Sequence, residues 1–354
     1  MFFRKSACTG IGLLMFYTCM AQIPAIAQEG DKQKACKSLK EGLLKPDKVV
    51  ILDLGGTELN TFPSEILRFK NLQVLRLNDT KINGVPPGIS TLVNLKELDL
   101  SHNQLTGLFR GMESLTKMEK INLSDNKLDS IPATLFTLKS LKVLQLGHNH
   151  VNILPDAINN LSQLQELDLS YNVIKSLPTA FTGLTALLRL NLSHNELEAL
   201  PQGMEKLKEM KELMATGNKI ALLPPGIGGM EHLKVLLLDS NQISVLPLEV
   251  GHLKELEILR LNLNKLGSLP NTICELKNLT ALYAGSNELD AIPVEISKLE
   301  NLSELELQRN QLEGLPPGLN GMKKLTKLSL SNNPIPTLER DKIKKELAAV
   351  QLVF

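Results

Sequence analysis

The segment Leu95-Lys96-Glu97-Leu98-Asp99-Leu100-Ser101-His102-Asn103-Gln104-Leu105 decides how the chain folds. Leu98 and Leu100, two apart, point to one face of an extended strand, and Asp99 between them points to the other. Asn103 falls where the chain must leave the strand and turn. Its side-chain amide can both donate to and accept from backbone groups that the turn leaves unpaired. Moving in steps of 23 residues reproduces the arrangement at Thr57, Thr80, Asn103, Asn126, Asn149, Asn172, Asn195, Asn218, Asn241, Asn264, Asn287, Asn310 and Asn333, with no insertion or deletion. A strict period of this length marks a chain built from stacked units whose core extends along one axis.

A proline recurs six residues after this position in eleven of the thirteen repeats, as at Pro132, Pro155 and Pro178. Apolar residues follow at +3 and +6 from the proline, such as Ile158 and Leu161. Proline suits the start of a helical turn, and the spacing turns both apolar side chains inward. The pattern L-x-x-L-x-L-x-x-N-x-L, read at Leu95 to Leu105 and again at Leu302, Leu305, Leu307, Asn310 and Leu312, resembles the leucine-rich repeat family over residues 49–335. The proline-containing 23-residue form is similar to exported bacterial repeat proteins and to Ras-group and Ras-pathway scaffold repeats. The resemblance implies an α/β solenoid, with a curved parallel sheet on the concave face and short helices or turns on the convex face.

Departures from the pattern carry their own expectations. Thr57 and Thr80 supply only part of the asparagine's hydrogen bonding, so the N-terminal end should be the looser one. Phe109 replaces the third proline, and Ala215 and Ala284 replace the second strand leucine, which removes core volume unless a neighbour fills it. Residues 28–48 read as an N-terminal cap, with Ala35, Leu39 and Leu43 at helical spacing. Residues 336–354 read as a C-terminal cap, with Ile343 and Leu347 on one helix face and Leu352 to Phe354 as an edge strand.

Residues 1–27 carry Arg4 and Lys5, then an apolar run from Ile11 to Ala21, then Ala25-Ile26-Ala27, the order of a secretory signal peptide cleaved near Ala27-Gln28. The apolar run is too short to cross a bilayer, and no other stretch is long and uncharged enough, so no integral membrane span is expected. Lipidation at Cys19 is disfavoured by Phe16-Tyr17-Thr18 before it. An exported chain, periplasmic, surface-bound or secreted, follows. The remaining Cys36 and Cys274 lie too far apart along the array for a disulfide.

Composition narrows the function. Thirty-nine Lys and Arg against 38 Asp and Glu argue against a nucleic-acid binder, and 43% hydrophobic residues argue against disorder. With 3% aromatic residues and no Trp, the core must be aliphatic. His102, His148 and His194 share a repeat position but sit two repeats apart, near 10 Å, beyond the reach of one ion. His148 with His150 lacks a third ligand. Asp99, Ser101 and Asn103 resemble a calcium loop, but without its glycine or closing acid. Cys274 reads as a structural thiol. No cofactor, metal site or catalytic constellation is expected, and the chain reads as a non-enzymatic monomer that binds a protein partner.

Specificity then belongs to strand residues facing away from the leucines. The residue before the leucine pair runs Ile51, Val74, Glu97, Lys120, Val143, Glu166, Arg189, Glu212, Val235, Ile258, Ala281, Glu304, Lys327. The residue between the pair runs Asp53, Arg76, Asp99, Asn122, Gln145, Asp168, Asn191, Met214, Leu237, Arg260, Tyr283, Glu306, Ser329. Repeats 8 to 11 group Met214, Val235, Leu237, Ile258, Ala281 and Tyr283, with Arg260 among them and Arg189, Glu212 and Asp239 at the edge. These are the expected partner contacts, on a face expected to be wet, and Asn191 is expected to be exposed. An intracellular signalling scaffold and a surface adhesive that binds glycan are the competing readings. The first requires residues 1–27 to be retained, and the second an aromatic groove that Tyr171 and Tyr283 are too few and too far apart to form.

Overall fold

The computed structural model describes residues 34–107 and 110–354. The signal segment 1–27 and the substitution at Phe109 lie outside the described residues. Each repeat contributes one three-residue strand, from β1 (Ile51–Asp53) to β13 (Lys327–Ser329), and β14 (Gln351–Val353) closes the array. All fourteen lie in one parallel sheet in chain order. The register is the sequence period itself: Ile258 pairs with Ala281, Leu259 with Leu282 and Arg260 with Tyr283.

Beneath the sheet runs one continuous aliphatic core. Leu98, Leu100, Leu144, Leu190, Leu236 and Leu282 have no exposed surface, and Phe69, Phe136 and Phe181 are the largest side chains wholly enclosed. Ala215 and Ala284 are also fully buried. Fully burying a leucine is worth about 2 kcal/mol, so the repeated layer supplies the stability that one small core would otherwise have to provide.

The asparagines form a ladder inside the turn. Asn195 Nδ2 donates to Leu169 O at 2.9 Å in the preceding repeat and to Leu192 O at 3.0 Å in its own, while Oδ1 accepts from Ile174 N at 3.0 Å. One side chain thus ties two repeats together. Thr80, also fully buried, donates from Oγ1 to Leu77 O at 2.8 Å and to Asn103 Oδ1 at 3.0 Å, and Thr57 reaches only Leu54 O at 2.6 Å. The hydroxyls therefore satisfy their own turn without bonding back to the preceding repeat.

On the convex side, the expected short helices are 3₁₀ turns, for example Asp156–Asn160 after Pro155 and Asn271–Glu275 after Pro270. A 3₁₀ turn rises about 2.0 Å per residue against about 1.5 Å in an α-helix, so five residues span the outer arc without a full helix. The helix of the N-terminal cap is also shorter than expected. Cys36 forms a bridge with Leu52, and α1 (Leu39–Gly42) is a single turn capped by Ser38 Oγ, which accepts from Glu41 N at 3.3 Å. At the other end, α2 (Thr337–Glu346) starts straight after Pro336 and buries Ile343, with Leu347 buried at its C-cap, before β14 pairs with β13. Cys36 and Cys274 are free thiols, and burial pushes the Cys274 thiol up.

Candidate recognition face

The residue between the leucine pair has two different duties along the sheet. In repeats 1, 3, 4, 6 and 7 it is Asp53, Asp99, Asn122, Asp168 or Asn191, and its Oδ1 accepts from the backbone N–H two residues on, at 2.9 to 3.2 Å. These side chains fold back onto their own turns. The oxygen pattern that resembles a calcium loop is used up this way, and Ser101 Oγ also donates to Asp99 at 2.7 Å.

Repeats 10 and 11 serve the same N–H groups differently. Asn262 N donates to Asp239 Oδ1 at 2.8 Å, and Gly285 N donates to Asn262 Oδ1 at 2.7 Å, each acceptor coming from the preceding repeat. Arg260 and Tyr283 are thereby relieved of capping. Arg260 Nε donates to Asp239 Oδ2 at 2.6 Å, its guanidinium lies 4.9 Å from the Tyr283 ring centre, and the Tyr283 hydroxyl donates to Glu304 at 3.0 Å. Burial, and then the bond to Glu304, push the tyrosine hydroxyl well above its usual range. Burial also raises Asp239, while Arg260 opposes the shift.

The register sets Met214 beside Leu237, Leu237 beside Arg260 and Arg260 beside Tyr283, with Val235, Ile258 and Ala281 adjacent in the next row. Val235, Leu237, Ile258, Arg260 and Tyr283 are half-buried. Four expectations need correction. Met214 and Ala281 are 5% and 8% exposed, so they floor the island rather than project from it, and Asn191, at 3%, is buried. Strands about 4.8 Å apart pack their outward side chains against one another, and a curved sheet crowds them further. Asp239, at 8%, likewise lies beneath Arg260 rather than at an edge. Arg189 is ion-paired with Glu166.

A second constellation lies on the rim where strand becomes loop. Before each ladder residue the backbone is left-handed, φ being +55° at His148, +52° at Tyr171 and +56° at His194. Identical backbone aims successive side chains alike, and three rings stack: His148 on Tyr171 at 4.1 Å and Tyr171 on His194 at 4.2 Å between ring centres. Burial, and then His148, lower the His194 imidazole. The spacing of 23 between residues 148, 171 and 194 held this stack in plain view, but comparing histidines only with histidines hides it. Among the described residues, no three His, Cys, Asp or Glu side chains converge closely enough to hold a metal ion, and no helix is long and apolar enough to cross a membrane.

The model of a leucine-rich repeat region matches residues 132–220 and 224–348, and that of a two-copy leucine-rich repeat matches residues 70–110. Among solved structures, a repeat protein of Leptospira interrogans is 32% identical, covering 91% of this chain and 100% of its own, with a TM-score of 0.64. An internalin of Listeria monocytogenes is 25% identical over 89% of this chain and 92% of its own, with a TM-score of 0.77. The repeat ectodomain of a plant membrane receptor kinase from Arabidopsis thaliana, solved in complex with Casparian strip integrity factor 2, is 26% identical over 83% of this chain and 42% of its own, with a TM-score of 0.53. A search of curated protein sequences finds no match.

Proposed function

The chain belongs to the leucine-rich-repeat family, and on that premise we propose that it is an exported, non-enzymatic monomer that recognises a partner protein through the concave face of repeats 8 to 11. Repeat domains of this family are generally protein-interaction modules without catalysis, and the plant ectodomain named above was solved with a bound factor. The charge, apolar run and small-residue site of residues 1–27 support export.

The observation that carries the site is the transfer of backbone capping to Asp239 and Asn262. It lets Arg260 and Tyr283 face outward, next to Leu237, without leaving their turn N–H groups unpaired. An apolar centre of Val235, Leu237 and Ile258 then meets an ordered Arg–Tyr pair, a centre of the kind that takes apolar or aromatic anchors from a partner.

The test begins with capture of a partner on the chain from residue 28, followed by affinity measurement on purified variants. Leu237→Glu and Tyr283→Ala should each weaken binding about thirtyfold, some 2 kcal/mol, with little change in thermal midpoint. Asp99→Ala should do less. If Asp99→Ala alone abolishes binding, the site lies in the N-terminal half. An intact Met1 on chain recovered from cytoplasm would overturn export.

A further inference from the structure

The rim of repeats 2 to 7 carries, one per repeat, Asp79, His102, Asp125, His148, Tyr171 and His194, all with left-handed backbone. Asp125 stands between two imidazoles, its Oδ2 3.6 Å from His102 Nε2 and its Oδ1 4.0 Å from His148 Nδ1. Beyond it, the three stacked rings continue the row to Gly217. A Cβ at Gly217 would come within 2.7 Å of His194 Nδ1, so glycine leaves the last imidazole its place. The row is reachable from solvent: the side chains of His102 and His148 are 61% and 52% exposed and Tyr171 is 42% exposed. Ser193, which precedes His194 and accepts through its carbonyl from Tyr171 N at 2.8 Å, is 1% exposed, and its hydroxyl has no partner.

The surrounding charges are largely spoken for. Arg76 is held by Glu97 at 3.2 Å, Lys81 by Glu58 at 2.6 Å and Arg189 by Glu166, and on the next row outward, which also carries Lys127 and His150, Glu196 is held by Lys219 at 2.9 Å. Asp168, half-buried at the end of β6 (Glu166–Asp168), interacts with both His148 and Asp125. In repeats 2 to 7 the strand face backing this rim holds four carboxylates, Glu97, Asp99, Glu166 and Asp168, against three cations, Arg76, Lys120 and Arg189, and the rim itself adds Asp79 and Asp125. A partner complementary to it brings positive charge.

We propose that this rim is a second contact surface, one that takes a cationic segment of a partner at neutral pH and releases it in acid. With neutral imidazoles, Asp99, Asp125 and Asp168 are in no ion pair with a lysine or arginine among the described residues, Asp79 shares Lys81 with Glu58, and the ring nitrogens can accept from ammonium or guanidinium groups. Protonated imidazoles offset these carboxylates, most directly Asp125 between His102 and His148, and turn acceptors into donors. Histidine is the side chain that makes this change between about pH 8 and pH 5. The surface does not depend on the island in repeats 8 to 11.

The probe is a fluorescent decalysine peptide, titrated with the full chain by anisotropy at low ionic strength, where screening is weak. Binding at pH 5.5 should be at least tenfold weaker than at pH 7.5, and a decaglutamate peptide should not bind at pH 7.5. Combined His102→Asn, His148→Asn and His194→Asn should hold the two affinities within threefold, asparagine being chosen because it tolerates left-handed backbone. Asp125→Asn should weaken binding at least threefold at pH 7.5, and Leu237→Glu should leave it within twofold. If the triple variant unfolds by circular dichroism, His102→Asn and His148→Asn singly should each flatten the pH dependence in part. Equal acid loss in wild type and histidine variants, or no decalysine binding at pH 7.5, overturns the proposal.

Discussion

Repeats 3 to 7 and repeats 8 to 11 share one scaffold and differ in how they cap a single backbone N–H. In the first group, the capping oxygen comes mostly from the residue between the two strand leucines, as at Asp99, Asn122, Asp168 and Asn191. Within the second, repeats 10 and 11 take it from the preceding repeat, through Asp239 and Asn262. Moving the acceptor 21 positions along the chain changes what the outward residue can be. A position that must carry Asp or Asn to close its own turn becomes open to Arg260 and Tyr283. Surface chemistry thus varies along the array while strand pairing and core do not.

The strongest test of that contrast is the part predicted to be the same in both regions. Asn195 and Asn241 each give their amide hydrogens to carbonyls of two repeats, Asn195 to Leu169 and Leu192 and Asn241 to Ala215 and Leu238, and each accepts from a backbone N–H of the repeat before. Replacing either by alanine strands buried groups at about 1 to 3 kcal/mol for each group left unpaired. Each variant should lose about 3 kcal/mol, measured by urea unfolding followed with circular dichroism. A difference above about 1 kcal/mol between them would mean that the scaffolds themselves differ.

Next in size come the caps. Asp239→Ala removes the partner of Arg260 as well as the acceptor of Asn262 N, and should cost about 2 kcal/mol. Asn191→Ala removes one buried bond to Ser193 N, 3.1 Å long, and should cost about 1 kcal/mol. Reversal of that order would show that repeat 10 draws its order from elsewhere. The figure for Asn191 is itself a revision: an exposed asparagine would cost under about 0.5 kcal/mol.

That revision marks where sequence reading stops. Strand positions, the 23-residue register and the inward leucines were legible because side-chain alternation is fixed by backbone geometry, and the ladder because an asparagine at every turn has one structural use. Burial of Asn191, Met214 and Ala281 depends on how neighbouring outward side chains close over one another on a curved sheet, and the alternation pattern does not encode this. The 3₁₀ form of the convex turns depends on the arc length to be covered, which becomes definite only once strand spacing and curvature are known. The ring stack depends on left-handed backbone at residues 148, 171 and 194, none of which is glycine.

The smallest expected effect probes the polar half through pH. Asp168 is raised from the ordinary carboxylate value by burial, against the opposing hydrogen bonds from Ser170 and the charge of His148. A carboxylate raised in the folded state binds its proton more tightly there than in the unfolded chain. Stability from this group is therefore greatest at low pH and falls as pH rises from about 3.8 through the raised value. Asp168→Asn cannot ionise but keeps the oxygen that accepts from Ser170 N at 2.9 Å, the arrangement Asn122 and Asn191 already use. The variant should be more stable than wild type at pH 7, by under about 1 kcal/mol, and the gain should vanish near pH 3 in the same urea experiment. A loss at pH 7 would mean that the ionised carboxylate is held in place by charge from the histidine row, and burial would no longer be the dominant influence on the polar half of the face.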